Sequence, residues 1–368
     1  MFKILLLICL FFIILNIKTN INYICENNFF SFNKERNKNE VLIIEKKRVH
    51  GECIPGYIKY LLDLGYHNID VLMNDRLYGL HTLNLSIFNG NVNELVYPGN
   101  KIDDIIFKHN ICDFYQICFF NTIYSFDINK FHFHNSKQLF LAHSVPEIKP
   151  KLLTMGNAIV IKKFNESQEK VYEVNPHYFG FYDYHKKNKI THFVTAGNYN
   201  NNRKNFNLLI KSVEFLEKLN KKDFHLTIIG DGKKPNLSNK IKNFITFTGR
   251  IPYDTMYNII SKCDFFLPLL DPIFHLKYAK TLTSGSFQLS YGLNIPILIH
   301  SFFAEVYNFD NGNSIIYEDD EDFIDKLVDV IEMNEETYAN IKINLEKKAK
   351  KIYKDSLSNL KEAIFNLY

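Results

Sequence analysis

The sequence predicts an α/β protein made of two doubly wound domains, each with a parallel sheet. Three observations carry that reading. The chain has 368 residues, against roughly 100–200 for one domain. Short apolar runs suited to buried parallel strands alternate with segments of helical periodicity through both halves. Strand ends in the second half carry glycine, hydroxyl or cationic residues, at the place where doubly wound sheets bind ligands.

Composition narrows the function classes. Hydrophobic residues make up 46% and charged residues 23% of the chain, which supports packed cores and excludes wholesale disorder. The net charge is only +4, and the lysines are scattered among asparagine and glutamate. That excludes the dense basic stripe of a nucleic-acid binder. The six cysteines (Cys9, Cys25, Cys53, Cys112, Cys118 and Cys263) are too dispersed for a disulfide scaffold. Cys112 and Cys118 lack zinc-knuckle spacing, and all six read as buried apolar thiols.

The N-terminus differs in kind. Lys3 and Lys18 bracket an apolar run, residues 4–17, broken only by Asn16. The run is short for a span needing about 20 residues and fits a signal-peptide core, without a small-residue cleavage site. Three readings stand. Residues 1–18 form an uncleaved signal-anchor, an N-terminal hydrophobic helix holding the protein at a membrane as a single-pass anchor. Or they form a signal peptide, cleaved on the way to the secretory-pathway lumen or the exterior. Or the run is a buried first strand or helix. Residues 19–39 are polar and aperiodic and read as a tether.

The first globular unit covers 40–180. Residues 41–44, all apolar, predict a buried strand. Ile58, Leu61 and Leu62 set a helix over 55–64, with Gly65 as its C-cap. Residues 69–72 predict the next strand, completing a strand–helix–strand unit with a right-handed crossover. Strands are predicted at 95–97, 114–120, 138–142 and 158–161, and a helix at 102–109. Residues 175–189 read as an inter-domain linker, crowded with aromatics and punctuated by Pro176 and Gly180.

The second unit covers 190–334. Strands are predicted at 193–196, 226–230, 245–248, 265–269, 295–299 and 315–317, with helices at 206–219 and 253–261. A further helix opens at Thr283 and stops at Gly292. Helices are then predicted at 322–333, 335–353 and 356–367, the segment 335–368 packing back across both domains.

Four loops of the second unit suit a phosphate-bearing ligand. Gly197 permits a tight turn after its strand, and Lys204 precedes a helix whose N-terminus adds positive potential. Gly230 and Gly232 flank Asp231 and allow close backbone approach. Arg250 stands at a strand end, placed for a base or a phosphate. Thr283, Ser284, Gly285 and Ser286 combine hydroxyls with free N–H groups at a helix start, an anion cradle. In the first unit, His50 to Gly56 forms a strand-to-helix turn with two ionisable groups. Glu52 reads as a general base on a ligand hydroxyl, with His50 and Gly56 as contacts to the same ligand. A helix-capping acid beside a surface histidine is the alternative. His143 follows another apolar strand.

The stretch FVTAGNYNNNRKNFNLLIKSVEFL, followed by LTIIGDGKK, ITFTGRIPYDTMYNIISKCDFFLPLL and YGLNIPILI, resembles the C-terminal domain of GT-B glycosyltransferases of the group 1 kind, over about 150 residues. The resemblance implies two Rossmann-like domains with a cleft between them. It implies a nucleotide-sugar donor on the second, a glycan or lipid-linked acceptor on the first, and no obligatory metal or other cofactor. Lys204 matches the family's basic diphosphate-binding residue, and His143 resembles its histidine near the donor sugar. There are departures. Asn198 stands where the family has arginine, and Ala279 and Phe287 stand where it has paired glutamates. The Thr283–Ser286 turn resembles a subgroup of the family. The missing carboxylates leave a second reading, a degenerate protein that binds a glycan or nucleotide without turnover. Asp320-Glu321-Asp322 matches a metal-binding D-x-D only in letters, since an acidic helix start explains it. His132 and His134 make a poor metal set, and no dinucleotide glycine fingerprint is present.

Overall fold

The computed structural model describes residues 40–367, except 48, 81–84, 89, 165–167 and 183–184. The apolar run at 4–17 and the tether at 19–39 lie outside the described residues. Among the described residues, no helix is long and apolar enough to cross a membrane.

The first domain contains β1 (Val41–Glu45), β2 (Ile69–Asn74), β3 (Val92–Tyr97), β4 (Ile117–Phe120), β5 (Lys137–Ala142), β6 (Asn157–Val160) and β7 (Val171–Glu173). Their order is β3-β2-β1-β4-β5-β6-β7, and every pairing is parallel. Alternation along β1 serves two cores, because successive side chains leave opposite faces. Val41 and Ile43 pack with Tyr57, Ile58 and Leu61 of the helix Ile54–Asp63. Leu42 and Ile44 pack with Ile102 and Ile106 of the helix Gly99–Phe107.

The second domain contains β8 (Thr191–Ala196), β9 (Phe224–Ile229), β10 (Ile245–Gly249), β11 (Phe265–Phe266), β12 (Leu298–His300) and β13 (Ile315–Tyr317). The order β10-β9-β8-β11 continues through a parallel bridge between Phe266 and Ile297 to β12 and β13. Both sheets are therefore doubly wound, with switch points between β1 and β4 and between β8 and β11.

Several local expectations change. Only Ile117–Phe120 of the run 114–120 is strand, because Ile111–Phe114 forms a 3-10 turn. The ladder of β11 is cut to two residues, since Pro268 has no N–H to donate and Leu269 turns left-handed at φ 56°. Val171–Glu173 forms an edge strand too short for a periodicity signal. The helix Gly285–Leu293 runs through Gly292 and ends at Asn294, which adopts φ 50°. Gly292 serves packing instead: a Cβ there would overlap the His177 carbonyl.

The C-terminus is one helix, Glu335–Phe365, rather than two. Neither glycine nor proline interrupts it near Lys354, so its hydrogen-bond ladder continues. It begins in the second-domain core with Tyr338 and ends in the first-domain core with Leu360, Ala363 and Ile364. Asn157 Nδ2 donates to Ala363 O at 2.7 Å, and the Asn175 N–H donates to Ser356 Oγ at 3.0 Å. The helix straps the domains together, and the facing switch points enclose the site.

Candidate active site

A cavity of about 350 Å³ lies between the domains. His50, Glu52 and His143 line it from the first domain, and Gly197, Lys204 and the Thr283–Ser286 turn from the second. The cavity thus gathers strand-end loops far apart in sequence, as the shared polarity of parallel strands requires.

Lys204 sits in the loop between β8 and the helix Phe206–Lys218. Asn205 anchors that loop: its N–H donates to Leu269 O at 2.7 Å, and its side chain caps the helix by accepting from Leu208 N at 3.1 Å. The Lys204 side chain turns inward and is only 6% exposed. Its Nζ donates to Pro268 O at 2.9 Å and to Ser286 Oγ at 3.1 Å, and stands 5.8 Å from the Phe266 ring centroid. Among the described residues no carboxylate pairs with it. Burial lowers its pKa to about 7. An ammonium held by neutral oxygens alone is costly to bury, and an anion in the cavity would relieve that cost.

The anion cradle lies beside it. Ser284 is the N-cap of the helix Gly285–Leu293, its hydroxyl facing the Ser286 N–H at 3.4 Å. The Phe287 N–H donates to Ser284 O at 3.2 Å within the first turn, and the helix start adds partial positive charge beside Lys204.

His50 adopts a left-handed conformation, φ 65°, before the short turn Gly51–Cys53. Its ring stacks on His143 with centroids 3.7 Å apart and planes 19° apart, and its Nδ1 is 3.6 Å from Glu52 Oε1. Burial opposes charge on His50, but the Glu52 hydrogen bond and the fields of Glu52, Glu45 and Glu147 outweigh it and raise its pKa. Burial likewise works against the Glu52 carboxylate, yet the hydrogen bond and charge of His50 hold it at about 2. Glu52 Oε2 also accepts from the Tyr253 hydroxyl of the second domain at 2.9 Å. A carboxylate this acidic is a weak proton acceptor near neutral pH. Its geometry makes it the partner of His50 and Tyr253 rather than the general base the sequence suggested.

His143 differs from its neighbour. Burial first, and the charge of His50 second, push its pKa down to about 3, so the ring is neutral. Its Nε2 lies 2.8 Å from Asn121 O, which can only accept, so Nε2 carries the proton and Nδ1 keeps a lone pair. Glu147 steadies the loop by accepting from the His143 N–H at 2.9 Å and the Ser144 hydroxyl at 2.7 Å. Ser144 bridges to Leu282, and the Val145 N–H donates to Thr281 O at 2.9 Å, tying the His143 loop to the cradle across the domain boundary.

Four sequence candidates fall outside the cavity lining. Gly230 (φ 141°) lets the end of β9 meet the Gly197 carbonyl, which a Cβ would overlap. Gly232 (φ 137°) lies against Tyr199, and Arg250 is exposed at the end of β10. Gly56 is buried beneath Pro176, 2.6 Å from the position of an added Cβ, so it packs the linker and does not reach an acceptor. These glycines shape backbone, a role their turn signals share with ligand approach. Phe287 is buried with its ring 3.8 Å from that of Tyr307, and Ala279 packs on the same cluster. The lining instead includes Tyr278 and Gln288, next to those two positions, together with Asn198, Arg203 and Tyr253. Arg203 was legible as a neighbour of Lys204; Tyr253 carried no signal beyond following a glycine-bearing strand end.

Two doubly wound domains whose switch points face one cavity make up the GT-B architecture. Residues 190–333 match the family Glycosyl transferases group 1, so the second domain is a glycosyltransferase domain of that group. No curated protein matches the chain. Among solved structures, a glycosyltransferase from Rickettsia africae ESF-5 is similar at TM-score 0.54 and 15% identity, covering 90% of this chain and 99% of its own. The lipopolysaccharide outer core galactosyltransferase WaaB, in its apo form, gives 0.50 and 13% over 89% of this chain and 100% of its own. The E. coli trehalose-6-phosphate structure bound with UDP-2-fluoro glucose gives 0.51 and 9% over 88% and 99%. At these identities the likeness establishes the fold.

Proposed function

We propose that this protein moves a sugar from a nucleotide-sugar donor to a glycan or lipid-linked acceptor without an obligatory metal. The observation that carries the reading is Lys204, buried at 6% exposure, whose ammonium has Pro268 O and Ser286 Oγ as its only hydrogen-bond partners among the described residues. Lys204 and the Thr283–Ser286 turn at the start of the helix Gly285–Leu293 line one cavity. A diphosphate there receives preorganised positive charge as its bond to the sugar breaks. Enclosure between two domains limits hydrolysis, the competing reaction.

The first-domain wall supplies the other side. His143 Nδ1 is an acceptor for a sugar hydroxyl, and the His50–Glu52 pair places one cation and one anion beside it. In this reading the apolar run at 4–17 anchors the enzyme at a membrane, near lipid-linked acceptors.

A thermal-shift series with UDP, GDP, ADP and CMP tests the donor site. Stabilisation by at least one nucleotide, abolished in Lys204→Ala, is expected; no shift with any of them would remove the assignment. Phe287 in the apolar core, where the family has a glutamate, favours the second reading of binding without turnover. Nucleoside diphosphate release that depends on added acceptor separates the two.

A further inference from the structure

β1 is apolar until its last residue, Glu45, which is fully buried. The strand ends at the switch point beside β4, where the Asn121 N–H continues the ladder by donating to Ile44 O at 2.9 Å. Glu45 lies outside the cavity lining. Three groups donate to its carboxyl oxygens. The Lys47 N–H and the Thr122 hydroxyl reach Oε1 at 2.6 and 2.8 Å, and the Asn121 side chain reaches Oε2 at 2.6 Å. Burial nonetheless raises its pKa to about 8. A carboxyl group sealed in this way costs stability that an apolar side chain would not, so its presence calls for a role.

Asn121 supplies one. Its Nδ2 gives one hydrogen to Glu45 and the other to His50 O at 3.0 Å, and its main-chain oxygen receives the Nε2–H of His143 at 2.8 Å. One residue thus touches the backbone of one histidine and the ring of the other. Asn121 is itself fully buried, and its Oδ1 has no hydrogen-bond partner among the described residues. A half-turn of the amide would set Oδ1 against His50 O, which can only accept, so the orientation is fixed although it leaves Oδ1 unmatched. The bond to His50 O matters because a φ of 65° strains a residue with a Cβ. That turn lays the His50 ring on His143.

Resting on the transferase reading, we infer that Glu45 is a positioning residue for the two cleft histidines. Acting through Asn121, it holds the turn that stacks His50 on His143 and so fixes the way both rings meet a bound sugar. It touches no reacting group itself. Burial and the charge of the stacked His50 keep His143 neutral. Opening the stack would let His143 take up a proton and close its Nδ1 to a sugar hydroxyl. Glu52 faces the pair from the His50 turn, Glu147 and Tyr124 from the loops after β5 and β4, and Tyr253, Arg203 and Lys204 from the second domain. The variants below leave all of these in place.

The test is long-range proton–nitrogen NMR of the imidazoles in the full chain, titrated from about pH 8 to about pH 5. His50→Gln and His143→Gln assign the signals. In the parent, His143 should stay in its neutral Nε2–H form throughout. Asn121→Ala keeps the main-chain oxygen that binds His143 and removes the link between Glu45 and His50. Glu45→Met breaks that link from the other end. Each should raise the His143 pKa from about 3 to about 5 or above, at least a hundredfold in proton affinity. Glu45→Gln can still accept from Asn121 and should keep the parent's titration. Calorimetry with UDP, GDP, ADP and CMP should show nucleotide affinity unchanged in all three variants, because Lys204 lies on the other domain. Parental titration of both histidines in either folded loss variant would overturn the inference; if one of the two does not fold, the other decides. A shift in Glu45→Gln as large as in Glu45→Met would overturn it too, by showing that the charge of Glu45 acts and not its hydrogen bond. The expected His143 shifts in a parent that binds none of the four nucleotides would uphold the positioning role and remove the donor assignment.

Discussion

The Tyr253 hydroxyl of the second domain donates to the Glu52 carboxylate of the first at 2.9 Å, so two residues 201 positions apart form a hydrogen bond across the domain boundary. Glu52 is already held at about 2 by His50, and the phenol adds a third group to that set. The contact joins the acceptor-side turn to the second domain independently of the C-terminal helix.

Tyr253→Phe removes this bond and leaves the rings in place. A stability loss of about 1 kcal/mol or less is expected, since the Glu52 side chain retains solvent contact. The pH dependence follows from the depressed pKa. The stabilisation Glu52 contributes is present above its unfolded value of 4.5 and disappears as pH falls through about 2. In the folded parent Glu52 stays ionised down to about pH 2, so urea unfolding should show nearly the same difference between the variant and its parent at pH 7 and at pH 3. A difference that has vanished by pH 3 would refute the depressed carboxylate.

Lys204→Met exchanges a buried charge for an apolar chain of similar length. Lys204 titrates at about 7 in the fold against 10.5 when exposed. Its penalty is absent above 10.5, grows as pH falls towards 7 and is complete below that. The variant should be more stable than the parent by about 1–3 kcal/mol at pH 6.5, after discounting the acceptors left at Pro268 and Ser286. That gain should shrink as pH rises above 8. It should also lose at least about a hundredfold in nucleoside diphosphate affinity. A variant less stable than the parent at pH 6.5 would show that the ammonium has a counter-charge in solution.

Diphosphate binding should carry a proton signature. The bound anion raises the pKa of Lys204, so a lysine partly neutral near pH 7 takes up a proton on binding. Calorimetry in two buffers of different ionisation enthalpy should reveal net uptake at pH 8. Affinity should fall by up to about tenfold per pH unit above 7, and the Lys204→Met variant should show neither effect.

Gly230→Ala should cost about 2–4 kcal/mol in chemical denaturation, because its φ of 141° strains an L-residue and its Cβ would overlap the Gly197 carbonyl. Gly249→Ala is the control: at φ 70° it has nothing within 4 Å of an added Cβ, and should cost about 1 kcal/mol. Only the first should disturb donor binding, since Gly197 lines the cavity.

The sequence by itself determined which loops could meet a ligand. Strand–helix alternation implies parallel sheets, and parallel strands of one sheet share a carboxyl edge, so the residues after β1 and β5 must gather at one edge and those after β8 at the edge of the second sheet. Glu52, His50, His143, Gly197, Lys204 and the Thr283–Ser286 turn were legible on that ground, and all of them line the central cavity. Tertiary structure alone decided what those residues are chemically. Desolvation lowers Lys204 and His143, a charged neighbour keeps Glu52 ionised, and these effects depend on burial and distance that no local pattern encodes. The same holds for Gly56 and Gly230, whose turn signals cannot say whether ligand or protein backbone occupies the space beside them. Periodicity acts over one turn or one strand, whereas the Tyr253–Glu52 contact and the Glu335–Phe365 strap arise from packing between residues one or two hundred positions apart.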